Sequence, residues 1–168
     1  MIPLLAIAAW SGTGKTTLLK QVIAILKQRG IRTGLIKHTH HNMDIDTPGK
    51  DSYELRKAGA DQVMVYNPQR WALITETPEH NEPDLRFLAS RMDPSLTDII
   101  LVEGFKHEPV PKIVLWRGGS EQCFSELFDE HVIAVAADAI FSLPVPLLDI
   151  NNAAMVTDFI LKWLEEQL

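Results

Sequence analysis

Hydrophobic residues change their spacing twice between Leu4 and Ile36, and those changes predict how the fold begins. Leu4–Ala9 is a short unbroken apolar run, the pattern of a parallel strand buried on both faces. Past a glycine-rich turn, over Thr16–Arg29, Leu18, Leu19, Val22, Ile23, Ile25 and Leu26 recur at helical spacing. Lys20, Gln21, Lys27 and Gln28 fill the other side, so an amphipathic helix is expected. Gly30 is placed to end that helix as a C-cap, and Thr33–Ile36 reads as a second strand. Strand, glycine turn, helix and strand within about 35 residues form a βαβ unit with a right-handed crossover.

The period is then lost. Lys37–Lys50 is polar, rich in His and Asp, and closes on Thr47-Pro48-Gly49, which predicts a long loop of the kind that is usually functional. Asp51–Ala58 reads as a helix with an acidic start, ended by Gly59. Gln62–Tyr66 and Trp71–Thr75 read as a hairpin around Asn67-Pro68. Leu85–Met92 is a short helix, Asp98–Val102 a buried strand running into Glu103-Gly104, and Lys112–Trp116 a strand followed by Gly118-Gly119. His131–Ala136 and Pro146–Ile150 are further strand candidates. Ala153–Leu164 is a last amphipathic helix that Asn151 or Asn152 can cap. Strands alternating with helices, without repeats or linkers, predict an α/β fold: a mostly parallel sheet flanked by helices, with an added β-hairpin.

With 168 residues the chain fits a single domain, 1–168, because chains divide only beyond roughly 250 residues. Hydrophobic residues at 46% and charged residues at 23% exclude a disordered or fibrous chain. Sixteen basic against 22 acidic side chains leave a net charge of −6, which argues against binding nucleic acid or an anionic membrane. No segment reaches the roughly 18 apolar residues that span a bilayer. The apolar run Ile2–Trp10 lacks a positive flank and a cleavage site, so it is expected to be a strand rather than a signal peptide. A single cysteine, Cys123, offers neither an internal disulfide nor a thiolate metal site and suits the cytoplasm.

Chemistry concentrates in Ala9-Trp10-Ser11-Gly12-Thr13-Gly14-Lys15-Thr16-Thr17. It follows a predicted strand and opens a predicted helix, the context that the phosphate-binding pattern G-x-x-x-x-G-K-[ST] requires. Gly12 and Gly14 permit positive φ, so successive N–H groups can converge on an anion, and the helix start adds its unsatisfied N–H groups and positive dipole end. Lys15 can reach the β- and γ-phosphates, the Thr16 hydroxyl can ligate Mg²⁺, and Thr17 can bond the α-phosphate. Ala9 replaces the first glycine, a small residue that still fits. By residue frequencies the relaxed pattern arises by chance in about 1% of chains this long, before the strand–helix context is counted.

Other candidates surround this loop. Glu103 ends a buried strand, where a carboxylate would sit near metal and γ-phosphate; one methylene longer than the usual Asp, it is expected to reach Mg²⁺ through water or to orient a nucleophile rather than bind the metal directly, the plain alternative being a solvated strand-end acid. Lys37 closes the second strand as a candidate anion contact. His38, His40 and His41, with Asp44, Asp46 and Asp51 downstream, could offer imidazole and carboxylate ligands to a transition metal but match no standard zinc spacing; a loop closing over phosphate or a second ligand is the favoured reading, with a solvated loop as the plain alternative. Asp138, just past a late strand, is either a turn residue or an acceptor for the two N–H groups of a guanine edge. Trp10, inside the loop, is expected to be partly exposed, whereas Trp71, Trp116 and Trp163 are expected in the core or an interface. Arg86 and Arg91 read as a solvated helix face.

Taken together, the segments 8–17, Leu-Ile-Lys-His-Thr-His-His (35–41), Asp-Thr-Pro-Gly-Lys-Asp-Ser-Tyr (46–53), Arg-Lys-Ala-Gly-Ala (56–60) and Ile-Leu-Val-Glu-Gly-Phe-Lys (100–106) resemble the molybdopterin-guanine dinucleotide biosynthesis protein B (MobB) family over nearly the whole chain. The resemblance implies a P-loop NTPase fold and a GTP-binding, Mg²⁺-dependent accessory or adaptor protein of molybdenum cofactor biosynthesis. It implies a homodimer with at most slow GTP hydrolysis, and as partners the enzyme that joins GMP to molybdopterin and other molybdenum cofactor proteins. Carried over by position, Gly12, Thr13, Gly14, Lys15, Thr16 and Thr17 would hold phosphates, Glu103 would sit by the γ-phosphate, and Asp138 would meet the base. No Asn-Lys-x-Asp tetrapeptide is present, so guanine preference rests on the resemblance. Two rival readings are a small-molecule kinase, for which only Arg117-Gly118-Gly119 suggests a lid, and an interaction protein with a vestigial nucleotide site.

Overall fold

The computed structural model describes residues 1–39, 43–77, 83–118, 124–140 and 142–167. In chain order its elements are β1 (Leu4–Ala8), α1 (Lys15–Gln28), β2 (Thr33–Lys37), α2 (Asp51–Lys57), β3 (Gln62–Asn67), β4 (Arg70–Thr75), α3 (Leu85–Ala89), β5 (Ile99–Glu103), β6 (Lys112–Trp116), a 3₁₀ turn (Phe124–Leu127), β7 (Val132–Ala137), β8 (Leu147–Asp149) and α4 (Ala153–Glu165). The chain divides into two compact units, Met1–His38 with Leu85–Leu168, and Thr39–Asp84.

The first unit is a six-stranded sheet in the order β2-β5-β1-β6-β7-β8, with every pairing parallel. Both faces are covered, which is why the strands read as continuous apolar runs rather than alternating ones. Leu5, Ile7, Ile99, Leu101 and Ile113 point to one side, into a core shared with Leu18, Val22 and Leu26 of α1 and Val156, Ile160 and Trp163 of α4. Ala6, Ile100 and Val102 point to the other, against Leu85 and Ala89 of α3. Beside them Ala8, Val114 and Val135 pack with Leu127 of the 3₁₀ turn. That turn is too short to carry a period and was not legible as an element.

The ends of both long helices follow from their residues. In α1, Gly30 takes φ 81°, and the N–H groups of Gly30 and Ile31 bond the carbonyls of Lys27 and Leu26. In α4, Asn152 rather than Asn151 is the cap, its side chain accepting from the Met155 N–H at 3.0 Å. β1 lies between β5 and β6: the chain builds β2 and β5 on one side of it and β6, β7 and β8 on the other, and at such a reversal of strand order a crevice opens at the carboxyl ends, the place where open α/β sheets bind ligands.

The second unit holds α2 and the antiparallel hairpin β3–β4. Asn67 closes the turn by accepting from the N–H groups of Gln69 and Arg70, each at 2.9 Å. Arg56, buried to 9% exposure, pairs with Asp44 and Glu76. On the hairpin Met64, Tyr66, Trp71 and Leu73 are all exposed, so Trp71 is not a core residue of this chain; Trp163 is. Among the described residues no helix is long and apolar enough to cross a membrane.

Candidate phosphate-binding site

Between β1 and α1 the chain makes the tight bend that its glycines allow. Gly12 and Gly14 take φ 82° and 90°, and Gly14 is the residue immediately before α1. The bend is pinned from inside: the Thr13 hydroxyl donates to the Trp10 carbonyl at 2.8 Å, and the Gly14 carbonyl accepts from the Leu18 N–H at 3.0 Å. No side chain caps α1, and no acid lies in its first turn. The helix therefore presents its first N–H groups and the positive end of its dipole without a competing anion of its own.

A hollow of about 340 Å³ lies over these groups, lined by Trp10, Ser11, Gly12, Gly14, Lys15, Thr16, Thr17 and Glu103. Its volume is within the range of small-molecule sites. Strand register places the carboxylate: Glu103 ends β5 opposite Ile7 of β1 on one side and Lys37 of β2 on the other. Its Oε1 lies 3.4 Å from the Lys15 Nζ and 3.5 Å from the Lys37 Nζ, and its side chain is only 12% exposed. Lys15, Lys37 and Glu103, read separately from the sequence, thus form one charged group at the mouth of the hollow.

The chain around Glu103 is locked by a close approach. The His38 N–H donates to the Glu103 carbonyl at 2.8 Å, and the His38 ring lies 5.3 Å from that of Phe105. Gly104 has φ 97°, and a Cβ there would stand 2.9 Å from the His38 carbonyl oxygen, closer than real Cβ contacts permit. Beyond it, Lys106 sets its ammonium 4.1 Å over the Trp10 ring. The Lys106 carbonyl accepts from Lys112, a fully buried lysine that also pairs with Asp129 at 2.6 Å. Burial alone would push the Asp129 carboxyl up, but the bonds from Lys112 and the His131 N–H outweigh it and hold the group below the usual range. Trp10 itself is half-buried, as its place in the loop suggested.

Past β7, Asp138 serves its turn: Oδ1 accepts from the Gly118 N–H at 2.7 Å, and Oδ2 lies 3.8 Å from Arg117 Nη1. It also lines a second hollow of about 450 Å³ with Ile140, Asp149, Asn151 and Met155, beyond the ends of β7 and β8. Arg117 was the residue least legible in the sequence. It follows β6 and turns inward, its Nε donating to the Thr13 carbonyl at 2.9 Å and its Nη2 to Asn151 Oδ1 at 3.0 Å. Arg117 stands just past β6, the strand paired with β1, and the sequence offered it only as part of Arg117-Gly118-Gly119.

The residues read for a possible metal loop are only partly described. His40 and His41 lie outside the described residues. Asp44 pairs with Arg56, and Asp46 accepts from the Thr47 N–H and the Ser52 hydroxyl. Among the described residues no group of three or more His, Cys, Asp or Glu side chains could hold a metal. Thr16 with Glu103 in the loop hollow is a different donor set: one hydroxyl and one carboxylate, both oxygen ligands, which suits Mg²⁺ because that ion takes few protein ligands and completes its shell with phosphates and water.

A sequence model of the family described as molybdopterin guanine dinucleotide synthesis protein B (MobB) matches residues 4–138. The chain is 64% identical over 168 residues to the molybdopterin-guanine dinucleotide biosynthesis adapter protein of Escherichia coli (strain K12), covering 99% of this chain and 96% of that one. It is 48% identical to the protein of the same name from Haemophilus influenzae, covering 97% and 90%. Its fold matches a crystal structure of molybdopterin-guanine biosynthesis protein B with a TM-score of 0.79 at 26% identity, over 96% of this chain and 99% of that one.

Proposed function

Since the chain belongs to the molybdopterin guanine dinucleotide synthesis protein B family, we propose that it is a GTP-binding adapter in molybdopterin guanine dinucleotide biosynthesis, acting as one nucleotide-binding domain over residues 1–168. The observation that carries the nucleotide reading is the uncapped start of α1, preceded by Gly14 at positive φ and overlooked by Lys15 and Glu103. A helix start left uncapped behind a glycine turn is the arrangement that anion-binding loops use. The adapter role is supported by the names of the two relatives above.

In this reading the triphosphate enters at the carboxyl ends of β1 and β5. The amides of Gly12–Thr17 take the phosphate oxygens, and the Lys15 ammonium exchanges Glu103 for the β- and γ-phosphates. Lys37, half-exposed on the same carboxylate, is a second cation at the γ end. Thr16 and Glu103 would hold Mg²⁺, which supplies charge neutralisation across the phosphate oxygens when bound. Glu103 then orients a water toward the γ-phosphorus, and the β–γ bridging bond breaks to leave GDP and phosphate. Among the described residues no arginine is poised over the hollow, since Arg117 is tied to Thr13, so unassisted hydrolysis is expected at roughly 10⁻⁴ to 10⁻² s⁻¹. Asp138 is the base-facing candidate: it lines the second hollow while its Oδ1 serves the turn and its Oδ2 lies beside Arg117.

The exposed Met64, Tyr66, Trp71 and Leu73 on the hairpin support a homodimer, in which this apolar surface is covered by a second copy. The other partner in this reading is the cytoplasmic enzyme that transfers GMP to molybdopterin. Titrating GTP against ATP, with and without Mg²⁺, while following the fluorescence of Trp10 tests the nucleotide reading. A saturable, Mg²⁺-dependent change favouring GTP supports it, and no change with either nucleotide refutes it.

A further inference from the structure

We propose that Arg117 is a positioning residue that fastens the phosphate loop to the nucleobase pocket, so that the two halves of the nucleotide site hold their geometry together. The inference rests on the nucleotide reading above and adds a residue that the phosphate-loop pattern does not contain. A guanidinium is a planar fork of five N–H donors with no acceptor, suited to holding several oxygens at fixed relative positions. Arg117 uses that fork on three separate segments. Nε donates to the Thr13 carbonyl inside the loop, Nη2 to Asn151 past β8, and Nη1 faces Asp138 past β7.

Each contact has a consequence for binding. The Thr13 carbonyl is held by Arg117, and Thr13 is the one residue of Trp10–Thr17 that does not line the hollow. A Cβ at Gly14 would meet Arg117 Nε at 3.6 Å and Nη2 at 3.7 Å, so the guanidinium also backs the positive-φ residue that starts α1. On the other side, Asp138 is fixed from both oxygens, by the Gly118 N–H and by Arg117, and Asn151 is fixed by Arg117 while its own N–H donates to Asp149. Asp138, Asp149 and Asn151 line the 450 Å³ hollow. Without Arg117, Thr13 and Asn151 lose one shared donor and Asp138 loses its ion-pair partner, and nothing else among the described contacts joins Thr13 to either strand end.

The test measures Mg²⁺–GTP and Mg²⁺–tripolyphosphate binding to the full chain by calorimetry, for wild type, Arg117→Ala and Arg117→Lys, with thermal unfolding as a control. Charge-assisted hydrogen bonds of this kind set the scale, so Arg117→Ala is expected to weaken GTP roughly tenfold to a hundredfold and tripolyphosphate by about threefold or more. Lysine reaches the Thr13 carbonyl with a single point charge but does not span the other two acceptors, so it restores tripolyphosphate affinity and not GTP affinity. A general loss of stability does not produce that split. The proposal is overturned if the folded Ala variant binds GTP within about twofold of wild type, or if Lys restores both ligands together. If Arg117→Ala does not fold, Asn151→Ala takes its place: it is expected to lose more GTP than tripolyphosphate affinity, and unchanged GTP binding overturns the proposal. Wild-type protein that binds neither ligand would instead refute the nucleotide reading itself.

Discussion

The Glu103 carboxylate oxygen lies 3.4 Å from the Lys15 ammonium at the mouth of the phosphate loop, across a strand register that also sets Lys37 at 3.5 Å. In the proposed nucleotide reading, this carboxylate holds the principal cation in place until phosphate oxygens replace it. Both side chains are mostly buried, so the exchange takes place where water screens it weakly.

Glu103→Gln preserves the shape and removes the charge. Lys15 keeps its reach to phosphate, so GTP is expected to bind without Mg²⁺ at least as tightly as in wild type. The gain in affinity on adding Mg²⁺ should shrink about fivefold or more, and hydrolysis should fall about a hundredfold, within the range for losing a group that orients or deprotonates a nucleophile. Calorimetry with and without Mg²⁺, and single-turnover phosphate release, check the two parts separately.

Gly104→Ala should be costly despite adding one methyl. The residue would take φ 97° with a side chain, and its Cβ would press on the His38 carbonyl at 2.9 Å. Strain of this kind is worth about 1–3 kcal/mol, read as a lower midpoint in urea denaturation. Because Glu103 precedes it, the variant should also bind Mg²⁺–GTP more weakly than Gly118→Ala, where the added Cβ meets nothing closer than 3.7 Å.

Arg32 and Asp98 give a pH-dependent contribution at the opposite end of the sheet from the loop. The Arg32 side chain and its N–H, at 2.9 and 2.7 Å, hold the Asp98 carboxyl down at about 2. The folded value is below the unfolded one of roughly 3.9, so this stabilisation is present above about pH 4 and is lost as pH falls toward 2. The pair is partly exposed, which limits its worth to roughly 1 kcal/mol. Asp98→Asn should therefore be less stable than wild type at pH 7, the gap should close toward pH 2, and GTP binding should not change. Urea midpoints across that pH range measure it.

Much of this arrangement was legible in the chain. The run from Leu4 had to be a strand buried on both faces, the residues from Lys15 a helix, and Glu103 a carboxylate at a strand end, because period and burial state those things locally. Element ends moved by one to three residues, as with Leu85–Ala89 for the longer helix expected there. Contacts made at long range were not legible. Arg117 meets Thr13 across 104 positions, and neither residue's neighbours announce the other. Trp71 shows a second gap: an apolar strand residue does not say whether its own chain or another covers it, and here its own chain leaves it exposed.

The central claim is that residues 9–17 form a nest for a polyphosphate, completed by Lys15. Titration calorimetry of Mg²⁺–GTP into wild type and Lys15→Ala tests it most directly. In this account Lys15 supplies the loop's own ammonium to the β- and γ-phosphates, so its loss should weaken binding by about a hundredfold or more with the thermal midpoint nearly unchanged. A Lys15→Ala protein that is folded and binds Mg²⁺–GTP as tightly as wild type would contradict it.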